Sequence, residues 1–329
     1  MLFRSQTLNA GAAQLGISLE LEDGTPWQEQ IAQWPTPLST ISVAEIADSR
    51  TAKRSAIATL LEQALAPAAL SGRPERLAAL VTRLIAQSET PIPELMTAYT
   101  VGAILFHTCG EVDRAQVWLA AAQRMVRYCG EPRTMHRMQS IHDIYFAPWH
   151  EPLAIVLPRL ERLAIDTLDA REIQYSGYIR VASLALGLYR GVGLGELLER
   201  LEEVAAFCEY HRDSWALACI ARLRAHFQRL QGRETGPPEP TIERERDPDY
   251  FDVSIVSALD AVHAIQYCYL AGQEEAAIAL ASRLDGHTAS LFDFIALEQH
   301  EFYWGLSIAM SLAPLPLGEA PTPKRVGGD

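Results

Sequence analysis

Two stretches decide how this chain folds: HTCGEVDRAQVWL at residues 107–119 and YLAGQEEAAIAL at residues 269–280. Each leaves an apolar segment through a glycine, crosses a short polar turn and enters a second amphipathic segment. In each, an alanine follows the glycine by five residues: Ala115 after Gly110, and Ala277 after Gly272. Glycine at that place ends a helix in left-handed backbone. A small side chain early in the next helix lets the two helices approach closely. Both stretches therefore read as the corner of a helical hairpin.

The spacing extends the motif along the chain. Gly191 lies 81 residues from both Gly110 and Gly272, and roughly midway sit Trp149-His150-Glu151-Pro152 and Gly232. An earlier turn falls at Ser71-Gly72-Arg73-Pro74. Turns near 72, 110, 150, 191, 232 and 272 give a period of about 40 residues, the length of a hairpin in a helical-repeat array. The pattern is TPR-like. It predicts an all-α solenoid of about six antiparallel hairpins, with helices over most of Ala44 to Leu312.

Helical periodicity supports each segment. Between Leu153 and Leu168 the apolar set is Leu153, Val156, Leu157, Leu160, Leu163, Ala164 and Leu168, with Arg159, Glu161, Arg162 and Asp166 on the other side. Between Glu196 and Cys208 the stripe is Leu197, Leu201, Val204, Ala205 and Cys208. Leu95 to Cys109 and Ile255 to Leu270 are apolar nearly all round, as a helix enclosed by neighbours should be. No segment alternates with the period of two that a strand requires, so no sheet is expected. Residues 1–40 form a weakly patterned N-terminal segment with short helices expected around Leu2 to Leu15 and Trp27 to Trp34. Residues 41–312 form the repeat domain. Residues 313–329, rich in proline and glycine, read as a disordered tail. The stretch after Gly232 carries four prolines among alternating charges and reads as a surface loop in place of a helix.

Composition excludes several functions. The net charge is −13 and Lys53 and Lys324 are the only lysines, the reverse of a nucleic-acid-binding balance. No apolar run is long enough to span a bilayer, and the first residues lack a signal peptide's apolar core. Cys109, Cys129, Cys208, Cys219 and Cys268 are scattered in apolar patterns and read as reduced core thiols of a cytoplasmic protein.

Several further features point to a family. Leu65-Ala66-Pro67-Ala68 closes a long helix. Ala98 to Asp113 is an alanine- and tyrosine-containing helix with a glycine–acid turn. Pro148-Trp149 opens a helix and is followed by Leu157-Pro158-Arg159-Leu160. Gly191 precedes a leucine- and glutamate-rich helix, and Leu230-Gln231-Gly232 ends an arginine-rich one. Gly272 with its alanine helix follows, then Phe302-Tyr303 in the last helix. In these features the chain, from about Ala44 to Leu312, resembles the helical-repeat region of large bacterial signalling proteins. Those proteins join a serine/threonine-kinase-like domain, an AAA-type ATPase, this region, a GAF sensor and often a histidine kinase. Asp169-Ala170-Arg171 departs from that family, which tends to have Gly-Asp there. The resemblance implies signal transduction, a partner such as a signalling kinase or ATPase, and catalysis located in domains other than this one.

The chemistry-bearing residues are sparse. A phosphate-binding loop ending in Gly-Lys-Ser/Thr is absent, and Gly191-Val192-Gly193-Leu194-Gly195 has neither a preceding strand nor a lysine. His150-Glu151 and His300-Glu301 each lack the second histidine of a zinc protease. Cys208, His211, Cys219 and His226 could sit on neighbouring helices, but their spacing fits no zinc signature. No nucleophile motif is present. These absences predict a protein without catalytic residues, cofactor or metal. Arg124, Arg127, Arg133, His136 and Arg137 form the one basic cluster, either a solvated turn or a contact for an acidic partner. Tyr145, Phe146 and Trp149 either line a groove or staple helices together. The partner-binding set expected from the sequence is Arg127, Arg133, Arg137 and Trp149, because arginine and aromatic side chains dominate interface energetics. On that reading, Arg133 and Arg137 can be exchanged for glutamate without loss of stability. Two functions remain open: a non-catalytic regulatory scaffold that binds a protein partner, and a sensor holding a peptide or small molecule in a concave face. A deep pocket with a few converging polar groups would mark the sensor. A broad open surface would mark the scaffold.

Overall fold

The computed structural model describes residues 26–37, 52–86, 92–129, 131–233, 254–285, 288–292 and 294–312. Among these every regular element is helical, and there is no strand. The helices are α1 (Trp27–Ala32), α2 (Ala52–Leu70), α3 (Pro74–Ala86), α4 (Glu94–Thr108) and α5 (Val112–Cys129). Next comes α6 (Pro132–Ile141), which continues through a π turn at His142–Phe146 into a last turn at Ala147–His150. Then follow α7 (Leu153–Asp169), α8 (Ile173–Arg190), α9 (Leu194–Tyr210), α10 (Ser214–Leu230), α11 (Ser254–Leu270), α12 (Glu274–Asp285) and α13 (Ala296–Leu312). The closest packing is between helices adjacent in the chain, notably α4 on α5 and α7 on α8. The expected helix at Leu2 to Leu15, the loop after Gly232 and the tail from 313 lie outside the described residues, apart from Arg233.

The corners are built as the sequence motif requires. Gly72, Gly110, Gly191, Gly232 and Gly272 all have positive φ, from 64° to 86°. At Gly110 the helix closes with Glu111 N–H donating to Phe106 C=O at 2.9 Å, and at Gly272 with Gln273 N–H donating to Cys268 C=O at 2.8 Å. These wrap-around bonds satisfy carbonyls that the end of a helix leaves open. Ala115 and Ala277 are fully buried against the preceding helix. Two further corners use the same geometry without glycine. Arg171 and Arg212 have φ of 62° and 55°. Glu172 N–H donates to Thr167 C=O at 2.8 Å, and Asp213 N–H to Cys208 C=O at 2.9 Å. Asp213 then caps α10 by accepting from Ala216 N–H at 3.1 Å.

The stripes are buried as their spacing dictates. Leu197, Leu201, Val204, Ala205 and Cys208 are the buried residues of α9. In α4 everything from Glu94 to Phe106 is buried. A Cβ on Gly102 would stand 2.5 Å from the Trp118 ring, so glycine there allows α4 and α5 to meet. Trp118 stacks on Trp34 at 5.0 Å, and Trp34 Nε1 donates to Thr82 Oγ1 at 2.8 Å. With Trp27 and Ile31 also buried, the described N-terminal residues belong to the core. Two proline positions differ from expectation. Pro67 sits inside α2, which runs on to Leu70. Pro148-Trp149 closes the α6 run, and the next helix starts at Leu153 behind Pro152.

Two hydrophobic cores result. One gathers α1 to α5 with Met138 and Phe146. The other gathers α7 to α13 with Leu70, Ile144, Ala147, Leu291 and Phe294. The α6 run supplies both and forms the seam between them.

The corner geometry carries a prediction. An L-residue in left-handed backbone costs roughly 1–2 kcal/mol, part of which glycine offsets by loosening the unfolded chain. Arg171→Gly and Arg212→Gly are each expected to stabilise the chain by roughly 0.5–1 kcal/mol. Gly272→Ala is expected to destabilise it by about 1 kcal/mol. Urea unfolding midpoints check the three signs.

Candidate ligand cavity at the seam

Between the two cores lies a cavity with about 120 Å³ of room for water centres, roughly ten times what one water needs. Its near wall is Leu65 and Leu70 of α2, Leu77 of α3, and Val101 and Ile104 of α4. The α6 run contributes Ser140, Ile141, Ile144 and Tyr145. The far wall is Tyr175, Tyr178, Val181, Ala182 and Ala185 of α8, with parts of α10 and α11 and with Phe292 and Phe294. The lining is almost wholly apolar.

Apart from Ser140 and Tyr145 of the α6 run, the polar groups of the wall come from α8, α10 and α11. Tyr178 makes an edge-to-face contact with Trp215 at 5.0 Å between ring centres. The Trp215 indole nitrogen is buried and has no hydrogen-bond acceptor among the described residues. Arg222 is ion-paired with Asp260. His263 Nε2 lies 3.2 Å from Tyr189 Oη, and its ring stacks on His226 at 4.4 Å. His226 Nε2 in turn meets Gln266 Oε1 at 2.9 Å, and Gln266 Nε2 donates to Tyr303 Oη at 3.1 Å.

Burial drives these groups toward their neutral forms. It pushes the phenols of Tyr145 and Tyr175 and the Cys219 thiol well above their ordinary values. It lowers His226 to about 4 and His263 well below its ordinary value. Two neutral imidazoles can stack face to face because neither carries charge near pH 7. A thiol held protonated is a weak nucleophile.

The seam is fastened on one side by a buried ion-pair network. Arg137 of α6 donates from Nη1 to Glu62 Oε2 of α2 at 2.7 Å. From Nε and Nη2 it donates to both oxygens of Glu172, ahead of α8, at 3.1 and 2.9 Å. Thr97 Oγ1 donates to the other oxygen of Glu62 at 2.6 Å. Further along the run, Asp143 is fully buried in the π turn. Its partners are Gln139 Nε2 at 2.8 Å, His142 Nδ1 at 2.7 Å and Arg159 Nε at 2.9 Å. Burial alone would raise the Asp143 carboxyl. The hydrogen bonds from His142, Gln139 and Arg159 outweigh it and hold the group below its ordinary value.

The residues singled out in the sequence are dispersed. Arg124 and Arg127 are exposed on α5. The Arg133 side chain is 57% exposed and 4.0 Å from Glu172. Arg137, by contrast, points inward with 12% of its side chain exposed. Exchanging it for glutamate would place a third carboxylate beside Glu62 and Glu172, so the expected indifference of stability does not hold at this position. Trp149 is half-buried with its ring 5.9 Å from His107. Tyr145 does line the cavity, whereas Phe146 belongs to the N-terminal core. His211 packs on Phe207 and His226 pairs with Gln266. Among the described residues no group of histidine, cysteine and carboxylate side chains is arranged to hold a metal. No described helix is long and apolar enough to cross a membrane. Trp215, Arg222 and Asp260 were not legible as site residues. Their helices carry them at ordinary spacing, and only the packing of α8, α10 and α11 brings them together. No family model, curated protein or solved structure matches the chain.

The Arg137 network makes stability depend on pH. Burial pushes the Glu62 carboxyl up from an ordinary 4.5 to about 7, with Arg137 and Thr97 pulling the other way. A carboxyl raised in the folded state contributes its full stability below about pH 4.5 and loses it as the pH rises through about 7. Glu62→Gln keeps the shape and never ionises. It is expected to match the parent near pH 4.5 and to exceed it in unfolding free energy at pH 8. Arg137→Met strands two buried carboxylates. It is expected to cost about 3–5 kcal/mol at pH 8, and less at pH 5, where Glu62 holds a proton. Urea unfolding at the two pH values measures both.

Proposed function

We propose that this chain is a ligand-sensing helical-repeat module, a TPR-like solenoid that regulates a partner and carries no catalysis of its own. The observation that carries the reading is the apolar cavity at the seam. It is lined by residues from α2, α3, α4, α6, α8, α10 and α11. A ligand seated there touches both cores at once, so its binding energy bears on how the two halves meet. Small-molecule sites have this character: concave, mostly apolar, with a few polar groups that fix orientation. Tyr145, Tyr175, Cys219 and His263 of the wall are driven to neutral forms, which suits binding and gives acid–base or nucleophilic chemistry little to work with.

The repeat architecture is supported by corners in left-handed backbone near 72, 110, 171, 191, 212, 232 and 272. The resemblance to the helical region of bacterial signalling proteins agrees with a regulatory role. The exposed Arg124, Arg127 and Arg133 offer an acidic partner protein a contact outside the cavity, with Trp149 nearby in sequence. The scaffold reading by itself gives no reason for an apolar concavity at the seam, and the sensor reading does.

Filling the void tests the proposal. Ala182 lines the cavity on α8. Thermal unfolding of the parent chain should shift upward with apolar small molecules from a mixed panel, by mass action. Ala182→Phe should fold and lose that shift. A parent chain indifferent to every apolar compound, or a variant that responds as the parent does, would sink the sensor reading.

A further inference from the structure

Resting on that reading, we infer that the cavity takes a monocarboxylate with a hydrocarbon body, and that its carboxylate sits on the open edge of the Arg222 guanidinium. Two other arginines show what such a group can hold. Arg137 takes two carboxylates at once: Nη1 donates to Glu62, and Nε with Nη2 donates to Glu172. Arg159 does the same, with Nε on Asp143 at 2.9 Å and Nη1 and Nη2 on Glu151 at 2.8 and 3.0 Å. A guanidinium carries five N–H groups in a planar fork, so one carboxylate leaves an edge for a second. Arg222 has one carboxylate, Asp260, held through Nη1. Its Nε and Nη2 have no acceptor among the described residues and are not closed off from solvent. The side chain is 38% exposed and forms part of the cavity wall. A ligand carboxylate would complete the pattern that Arg137 and Arg159 already show.

The surroundings select the charge and the body of the ligand. Asp260 opposes a second carboxylate, but Arg159 meets the same opposition between Asp143 and Glu151. There its hydrogen bonds still hold the Glu151 carboxyl below its ordinary value. Charge-assisted bonds to a guanidinium are roughly twice as strong as neutral ones, so an anion gains more on this edge than an amide does. Because Arg222 stays partly exposed, the head keeps some of its hydration, and the penalty of a sealed interior does not apply in full. An amine is disfavoured: the cation is the more exposed partner of the pair, with Asp260 at 13%. Away from Arg222 the wall is Leu65, Leu70, Val101, Ile104 and Val181 with aromatic rings, which calls for hydrocarbon. The room available, about 120 Å³ for water centres, suits a body on the order of ten heavy atoms.

Four compounds sharing one body separate the possibilities: 4-phenylbutanoate, 4-phenylbutanamide, butylbenzene and 4-phenylbutylamine. Binding is measured by calorimetry at neutral pH. The parent chain is expected to bind the acid more tightly than the amide or the amine, and to lose part of that preference as salt is added. Arg222→Gln is expected to weaken the acid about 10-fold or more, in line with a charge-assisted contact, and to leave butylbenzene unchanged. Asp260→Asn keeps the shape and removes the opposing charge. It is expected to tighten the acid and leave the amide unchanged. The inference is overturned if the amide or the amine binds tighter than the acid, or if Arg222→Gln weakens acid and hydrocarbon alike or weakens neither. Should Arg222→Gln not fold, Asp260→Asn decides: tighter binding of the acid supports the inference, and unchanged or weaker binding overturns it. If other apolar compounds bind the parent and are blocked by Ala182→Phe while the acid does not bind, the inference falls and the sensor reading stands. If nothing with an apolar body binds the parent at all, both fall together.

Discussion

The left-handed corner governs everything else in this molecule. A helix can reverse into a close antiparallel neighbour only if its last carbonyls are satisfied and the chain leaves at a sharp angle. The wrap-around bond over a positive-φ residue meets both needs. In the C-terminal half these corners recur near 171, 191, 212 and 232, so the helices there have similar lengths and their stripes fall in register. The apolar faces then have only each other to pack against. The cavity lies where this regular stacking meets the α6 run, whose π turn interrupts the helical period.

How much of this could be read from residues alone depends on where the information sits. The glycine corners, the α9 stripe and the all-round burial of α4 were legible, because each is a local pattern with a local cause. Arg171 and Arg212 were not. Their side chains give no sign of left-handed backbone, and the only signal was their place halfway between recognised corners. The interior role of Arg137 was hidden for a different reason. A lone arginine in a basic stretch looks solvated, and its partners Glu62 and Glu172 lie 75 and 35 residues away. The cavity was likewise out of reach, since a void is a property of how helices from the whole chain meet.

The two polar features of the seam have opposite characters. The Glu62–Arg137–Glu172 network concentrates charge where α2, α6 and the entry to α8 converge, and satisfies it with short directional bonds. Such a network ties the elements in one relative orientation, since few other arrangements would meet its geometry. The cavity wall beside it has no such fixing groups beyond one ion pair and a stacked imidazole pair. Aromatic rings there touch at edges, and most of the lining is aliphatic. One side of the seam is therefore held by charge and directional bonds, the other mainly by apolar contact.

The shared α6 run also has a mechanical meaning. Met138 and Phe146 pack in one core and Ile144 and Ala147 in the other. Neither core can come apart without pulling on the same stretch of chain, so the two halves are expected to unfold as one cooperative unit rather than in separate steps.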